Sequence, residues 1–492
     1  MNTYIGIDLG TSSVKLLLMR ADGAILRTAR RDYAVSCPLP GYSEQNPEDW
    51  YEQTVDGLGE LLRGVSRRDV RGIGIAGQMH GLVLLDSQGQ VIRPAILWND
   101  GRSAAQTERL NREPGKQKLT EWTANFAFTG FTAPKLLWVR ENEPENYAKI
   151  AKVLLPKDYL LYRLSGGFYT DPSDASGTLY WDVRNGRWSE EMLAVCGIRP
   201  EWLPEPVASH AVVGGLLPEL AEALDLPNAV LVAGAGDNAA AAVGNGVLAP
   251  GDCSISAGTS GTVLIPTGSC IADPSAAVHS FAQADGGYMQ LGCILSASSC
   301  GKWWIERILH TKDYDGEQAG IRTEQPSGLY FLPYLAGERA PYNDPYARGV
   351  FFGLRQDTGR VEMTQAVYEG VTFAFRDILE LVRARGIRPA SAVLCGGGAK
   401  SGFWPQMIAD ILNLELRLPE NEEGPSLGGA LLAAVGCGEY PNLSAAAASR
   451  PAPRRVFLPR PEVTARYEEA YRFYHSLYPC MRDAFSVLHR LF

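Results

Sequence analysis

YIGIDLGTSS, residues 4–13, returns in altered form about half the chain later as SISAGTSG, residues 254–261. Each copy is an apolar, β-forming run that closes on a Gly-Thr-Ser turn, the strand-turn-strand junction expected at the start of one half of a duplicated molecule. Two similar α/β lobes are therefore predicted, spanning 1–247 and 248–492. The length of 492 residues agrees, because one hydrophobic core stops growing at roughly 250–300 residues.

Outward from the first copy, Gly10 and Asp22-Gly23 mark turns, so the chain is predicted to begin with consecutive antiparallel strands. NPEDWYEQTVDGLGELLRGV, residues 46–65, offers Asn46 as an N-cap, Pro47 at the first helical position and acidic residues in the first turn, which signals a helix. VRGIGIAG, residues 70–77, reads as a buried strand delivering a loop. Outward from the second copy, residues 362–386 carry apolar side chains at helical spacing and end in Gly386. Residues 391–413 read as strand, Gly-rich turn and helix, and such a turn lets backbone approach a nucleotide. LSAAAASRPAPRR, residues 443–455, reads as a surface connection, and residues 463–491 as a helix broken near Pro479.

The formal charge is −9 and no dense Lys/Arg block occurs, which argues against nucleic acid or an anionic membrane as partner. Anions must then be held locally, by backbone N–H groups, helix starts and a metal ion. The 9 cysteines form no C-x-x-C pair, so neither a zinc site nor a disulfide framework is expected, and a reducing compartment fits. The N-terminus reads straight into a strand without the features of a signal peptide, and the most apolar long stretch, 228–250, is interrupted by Asp237 and Asn238. A cytoplasmic protein is expected; a homodimer is among the states the sequence permits.

Phosphoryl transfer asks for N–H donors around phosphates, a divalent cation and a group that orients the attacking hydroxyl. The first turn offers Gly10, Thr11, Ser12 and Ser13, with Asp8 just ahead of it; the second offers Gly258, Thr259 and Ser260. Either turn alone also suits a plain hairpin. Together they can clamp one triphosphate. The sequence has neither G-x-x-x-x-G-K-[ST] nor the protein-kinase motif set, so an architecture that brings two separate turns together is required. Asp237, an ionisable group within VAGAGDNAAAAVG (232–244), is the candidate general base, although it could equally start the helix that follows. GQMHG (77–81) and LWNDGR (97–102) put polar groups and an aromatic ring at strand ends, a mixture suited to a sugar. The candidates there are Gln78, Met79, His80, Trp98, Asn99 and Asp100.

These motifs, together with GFTAPKLLWV, VLLPKDYL, GDNAAAAVG, FLPYLAGERAP and GVFFGL in that order, resemble the FGGY family of carbohydrate kinases over nearly the whole chain. The resemblance implies two actin-like, ribonuclease H-like lobes with ATP and sugar in the cleft between them. It implies that Asp237 takes the proton from the sugar hydroxyl and that Asp8 acts near Mg²⁺ and the phosphates, with both carboxylates candidate ligands of that ion. Met79, His80, Trp98, Asn99, Asp100 and Asn238 would surround the sugar, and Gly396, Gly397 and Gly398 the adenosine. GQMHG followed by LWNDGR points within the family to transfer from ATP to the 5-hydroxyl of D-xylulose. A related pentulose or pentitol remains a rival substrate, and an actin-like ATPase without a sugar a rival activity. Ala257, Asn245 and GGGAKSGFW depart from the family pattern, near the phosphates and the adenine.

Overall fold

A computed structural model describes residues 1–274 and 278–491. Strand Thr3–Leu9 pairs antiparallel with Ser13–Arg20, which pairs antiparallel with Ile25–Asp32, so the opening hairpins form as predicted. On its other edge Thr3–Leu9 runs parallel to Val70–Gly77, followed by parallel Val230–Val232 and antiparallel Val212–Gly215. The second sheet repeats this sequence of pairings. Ser254–Ala257 is antiparallel to Gly261–Thr267 and parallel to Ser391–Cys395, with Tyr288–Ile294, Glu415–Leu418 and Arg455–Phe457 completing the same order. The strand Val278–Ala282 adds an edge that the first sheet lacks. The echo in sequence is thus a duplication in topology, and the fold is the two-lobed, actin-like arrangement.

Apolar strands with helices on their faces build a core in each lobe, around Ile5, Ile7, Ile73 and Ile75 in the first and Ile255, Leu394, Trp404 and Phe375 in the second, and a further cluster that includes Met79, Ala240, Leu431 and Leu264 holds residues of both lobes. Asn46 caps helix Pro47–Leu61 by accepting from the Glu48 N–H at 3.3 Å. Helix Arg360–Arg383 buries most of one face, as its spacing predicted. Two helices join the lobes. Asp237–Asn245 crosses Gly424–Gly436 so closely that a methyl group on Gly428 would lie 1.9 Å from the Ala240 carbonyl oxygen. Gly424–Gly436 lies against strands Thr3–Leu9 and Val70–Gly77, so the chain beyond residue 424 returns to the first sheet before it ends on the second.

Two local expectations are corrected. Residues 443–448 form a helix, with Leu443, Ala446 and Ala447 buried, and only the stretch beyond it is a connection. Helix Pro461–Leu491 passes through Pro479 without ending, because Tyr474, Leu477, Tyr478 and Phe485 are buried against the second lobe on both sides of the proline. Tertiary packing there outweighs the cost of one missing backbone bond, about 3 kcal/mol. No helix among the described residues is long and apolar enough to cross a membrane.

Candidate active site

Both Gly-Thr-Ser turns open onto one cavity of about 450 Å³ between the lobes. Asp8 is the penultimate residue of strand Thr3–Leu9, beside the first turn, and Asp237 is the first residue of the interlobe helix. Gly236 occupies the N-cap position, so Asp237 is not needed as the cap. Burial pushes the Asp237 carboxyl up to about 6, against the opposing effect of hydrogen bonds from Asn238, whose Nδ2 donates to Oδ1 at 2.8 Å. Asp8 is pushed up to about 7 by burial and then by the charge of Asp237, while Lys15, its cross-strand partner, pulls it down. Two buried carboxyls, one of them raised further by the charge of the other, form a site for a cation or a proton.

The N–H groups of Thr11, Ser12, Thr259 and Ser260 donate to no acceptor among the described residues. The carbonyls of the second turn are tied down instead: Ser298 N–H donates to Gly258 O at 2.8 Å and Ala297 N–H to Thr259 O at 2.9 Å. Gly396 adopts φ +84° and packs on this turn, where a Cβ would fall 2.8 Å from the Ala257 carbonyl carbon. Donors aimed outward from anchored loops are what anionic phosphates require.

On the wall of the cavity that carries GQMHG, His80 holds a left-handed conformation with φ 70°. Its carbonyl accepts from Lys135 Nζ at 2.9 Å and Thr132 Oγ1 at 3.1 Å, and these bonds offset the strain. Burial pushes the His80 imidazole down to about 3, so the ring is neutral, and its Nδ1 lies 3.0 Å from Gly177 O. Trp98 donates its indole N–H to Thr11 Oγ1 at 2.9 Å.

Of the residues singled out in the sequence, Asp8, Gly10, Met79, His80, Trp98, Asp237, Asn238, Gly258, Thr259, Ser260 and Gly396 line the cavity. Others lie around it. The Gln78 amide serves the first turn, with Nε2 on Gln45 Oε1 at 3.1 Å and Oε1 accepting from Thr11 at 3.2 Å. Asp100 is buried in a clamp, accepting from Ser43 N at 2.6 Å and from Arg102 at 2.8 and 2.9 Å. Asn99 is exposed, as is Ser12; Ser13 opens the second strand, and Gly397 and Gly398 begin the short helical turn after Gly396. Reading polar residues at strand ends does not tell which of them turn inward. The sequence reading did not single out Arg339 and His279, both of which line the cavity, nor Lys15 opposite Asp8. Arg339 sits in the GERAP run and could have been weighed as a cation near phosphates or sugar; His279, alternating in an apolar strand, carries no such signal.

The N-terminal domain of the FGGY family of carbohydrate kinases matches residues 3–244 and its C-terminal domain residues 253–437. The chain is 43% identical to a xylulose kinase of Escherichia coli strain K12 over 436 residues, 88% of this chain and 90% of that one. It superposes with a TM-score of 0.93 on the crystal structure of a xyloylose kinase from Brucella ovis, at 38% identity and covering 98% and 100% of the two chains. A gluconate kinase from Lactobacillus acidophilus superposes equally well, with TM-score 0.94 at 25% identity and 99% of each chain covered. With both of its domains matched in order along one two-lobed chain, this protein belongs to the FGGY family of carbohydrate kinases.

Proposed function

We propose that this kinase transfers the γ-phosphoryl group of ATP to the 5-hydroxyl of D-xylulose, giving D-xylulose 5-phosphate and ADP. The observation that carries the proposal is the pairing of Asp237 with the two phosphate turns in one cleft, in a chain 43% identical over 436 residues to a xylulose kinase. The superposition on a gluconate kinase at TM-score 0.94 means that the fold alone does not choose the sugar.

In the proposed mechanism the Asp237 carboxylate accepts the proton of the sugar hydroxyl as its oxygen attacks the γ-phosphorus and the bond to the β-phosphate oxygen breaks. A carboxyl held near 6 is mostly ionised at neutral pH yet basic enough to take that proton. The backbone N–H groups of Thr11, Ser12, Thr259 and Ser260 receive the phosphate oxygens, the adenosine lies along Gly396, Gly397 and Gly398, and Met79, His80, Trp98 and Asn238 surround the sugar.

Among the described residues no cluster of three or more His, Cys, Asp or Glu forms a cage for a metal. Mg²⁺ fits nonetheless, since it is commonly held by one or two carboxylates plus substrate phosphates, and Asp8 and Asp237 supply such a pair. When bound, the ion neutralises charge on the transferring phosphoryl group. The first lobe, 1–247, would serve the sugar and one turn, and the second, 248–492, the adenosine and the other.

The test is ADP release with D-xylulose, D-ribulose, pentitols, gluconate and glycerol, followed by locating the phosphate on the product by phosphorus NMR. Preference for D-xylulose with the phosphate on O5 is expected. Faster turnover of another sugar would replace the substrate, and ADP release indifferent to every sugar would replace the activity.

A further inference from the structure

A 2-ketopentose closes its five-membered ring through O5. Phosphorylation at O5 therefore selects the open-chain form, in which the C2 carbonyl is free. That carbonyl accepts hydrogen bonds and donates none, so a site built for it should present donors. The second lobe places two such groups at the cleft.

The first is Arg339, which lines the cavity and whose guanidinium makes no hydrogen bond or ion pair among the described residues. It reaches across to the first lobe: a methyl group on Gly130 would lie 3.7 Å from its Nη2. Its backbone is fixed, since Arg339 N–H donates to the buried Glu338 Oε1 at 2.7 Å. An unpaired guanidinium offers five donors and no acceptor.

The second is His279 on strand Val278–Ala282, only 2% exposed. Its ring packs against Phe128, Phe131 and Phe281, with centroids at 4.6, 5.1 and 5.3 Å, and Phe131 in turn lies 5.0 Å from His80. The strand is anchored to the first lobe, where the Asn125 side chain bonds both Ser280 N at 3.0 Å and Ser280 O at 2.8 Å. Burial keeps the His279 ring neutral. Its Nδ1 is buried without a partner among the described residues. An orphaned lone pair is tolerated better than an orphaned N–H, which places the proton on Nε2. His80 has the opposite tautomer, with Nδ1–H donating to Gly177 O and a bare Nε2. The two rings thus offer one donor and one acceptor on the same wall.

We infer that Arg339 and His279, both from the second lobe, bind the C2 carbonyl of an open-chain ketose while His80 and Asn238 take its hydroxyls, so that these two residues set selectivity for a ketose over the corresponding sugar alcohol. The inference rests on the proposed sugar site but extends it to residues of the other lobe.

The experiment compares D-xylulose with its two C2 alcohols, xylitol and D-arabitol, in the wild type, Arg339→Met, Arg339→Lys and His279→Phe, with circular dichroism melting as a check of folding. Loss of one charged hydrogen bond predicts that Arg339→Met raises KM for D-xylulose about 10- to 100-fold. His279→Phe keeps the ring stack and should raise it about five-fold. In both, KM for the alcohols and for ATP, and kcat, stay within about three-fold of wild type, and Arg339→Lys is intermediate. An unchanged KM for D-xylulose in Arg339→Met overturns the inference, as does equal weakening of ketose and alcohols, the mark of a merely structural role. Should His279→Phe fail to fold, Arg339→Met, altered at a half-buried position, still decides. A wild type that prefers a different ketose changes the sugar in the proposed function and leaves the ketose-to-alcohol comparison in force with that sugar; a wild type that uses only polyols overturns the inference.

Discussion

Trp98 hangs from Thr11: its indole N–H donates to the threonine Oγ1 at 2.9 Å, and the same hydroxyl donates to Gln78 Oε1 at 3.2 Å. A residue of the first Gly-Thr-Ser turn thus positions the aromatic ring at the cavity, beside the proposed sugar site. Thr11→Val keeps the shape and removes both bonds. With a net hydrogen bond worth about 1 kcal/mol, KM for the sugar should rise about five-fold, and KM for ATP should rise with it because the turn is the shared element. Steady-state kinetics in both substrates checks this, and a rise in one KM alone would show that the two sites are not coupled through Thr11.

Asp237 carries the proposed proton transfer. Asp237→Ala should lower kcat by about 10²- to 10⁴-fold while sugar binding, followed by calorimetry, persists. Near-normal turnover in this variant would remove Asp237 from the mechanism.

Behind Asp237 lies a buried ionic cluster that composition gives no hint of. Lys157 Nζ, wholly buried, donates to Asp158 Oδ1 at 2.7 Å and lies 3.4 Å from Asp171 Oδ1. Asp171 Oδ2 accepts from Ser173, whose hydroxyl oxygen in turn accepts from Gly236 N–H at 3.1 Å, the residue before Asp237. Asp174 is buried beside them with neither carboxylate oxygen partnered among the described residues, and burial first, then its acidic neighbours, push its pKa well up. Lys157→Met leaves these carboxylates without their cation. It should destabilise the protein by about 3–5 kcal/mol, read from the midpoint of urea unfolding; a loss below about 1 kcal/mol would mean that the carboxylates are neutral without it.

The contrast between these sites explains what the sequence could reveal. The duplicated turns and the carboxylate at 237 are local patterns, because a phosphate turn needs Gly, Thr and Ser side by side. Asp100 and Gln78 sit in the same kind of pattern, yet one is held by Arg102 and the other by the first turn. Direction in space, not residue type, separates them from Met79 and His80. His279 and Arg339 reach the cleft through an edge strand and a loop of the other lobe, and only pairing that is distant in sequence brings them there. The failed break at Pro479 has the same origin, since burial on both sides of a proline is a tertiary fact.

Gly396 tests the second turn directly. At φ +84° with a Cβ position 2.8 Å from Ala257 and 2.9 Å from Gly258 backbone, Gly396→Ala must push the turn aside. Left-handed backbone alone costs a non-glycine residue about 1–2 kcal/mol, and the displaced N–H donors should raise KM for ATP by tenfold or more while KM for the sugar holds. Unchanged ATP kinetics would place the nucleotide elsewhere.

The long C-terminal helix should carry a pH-dependent clasp. His475 Nδ1 lies 2.8 Å from Asp377 Oδ1, an oxygen that also accepts from the Tyr471 hydroxyl at 2.8 Å. The hydrogen bond to Asp377 raises the His475 pKa above its ordinary 6.5, burial opposing it. A folded-state pKa above the unfolded one means that the stabilisation is fully present below about 6.5 and fades as pH rises through the higher, folded value. His475→Gln should therefore lower the melting temperature at pH 6 and do so progressively less towards pH 8.5. Asp377 keeps its tyrosine donors throughout, so the residual difference at high pH isolates packing from charge. A melting difference that stays constant across this range would show that the imidazolium charge contributes nothing to holding the helix against the second lobe.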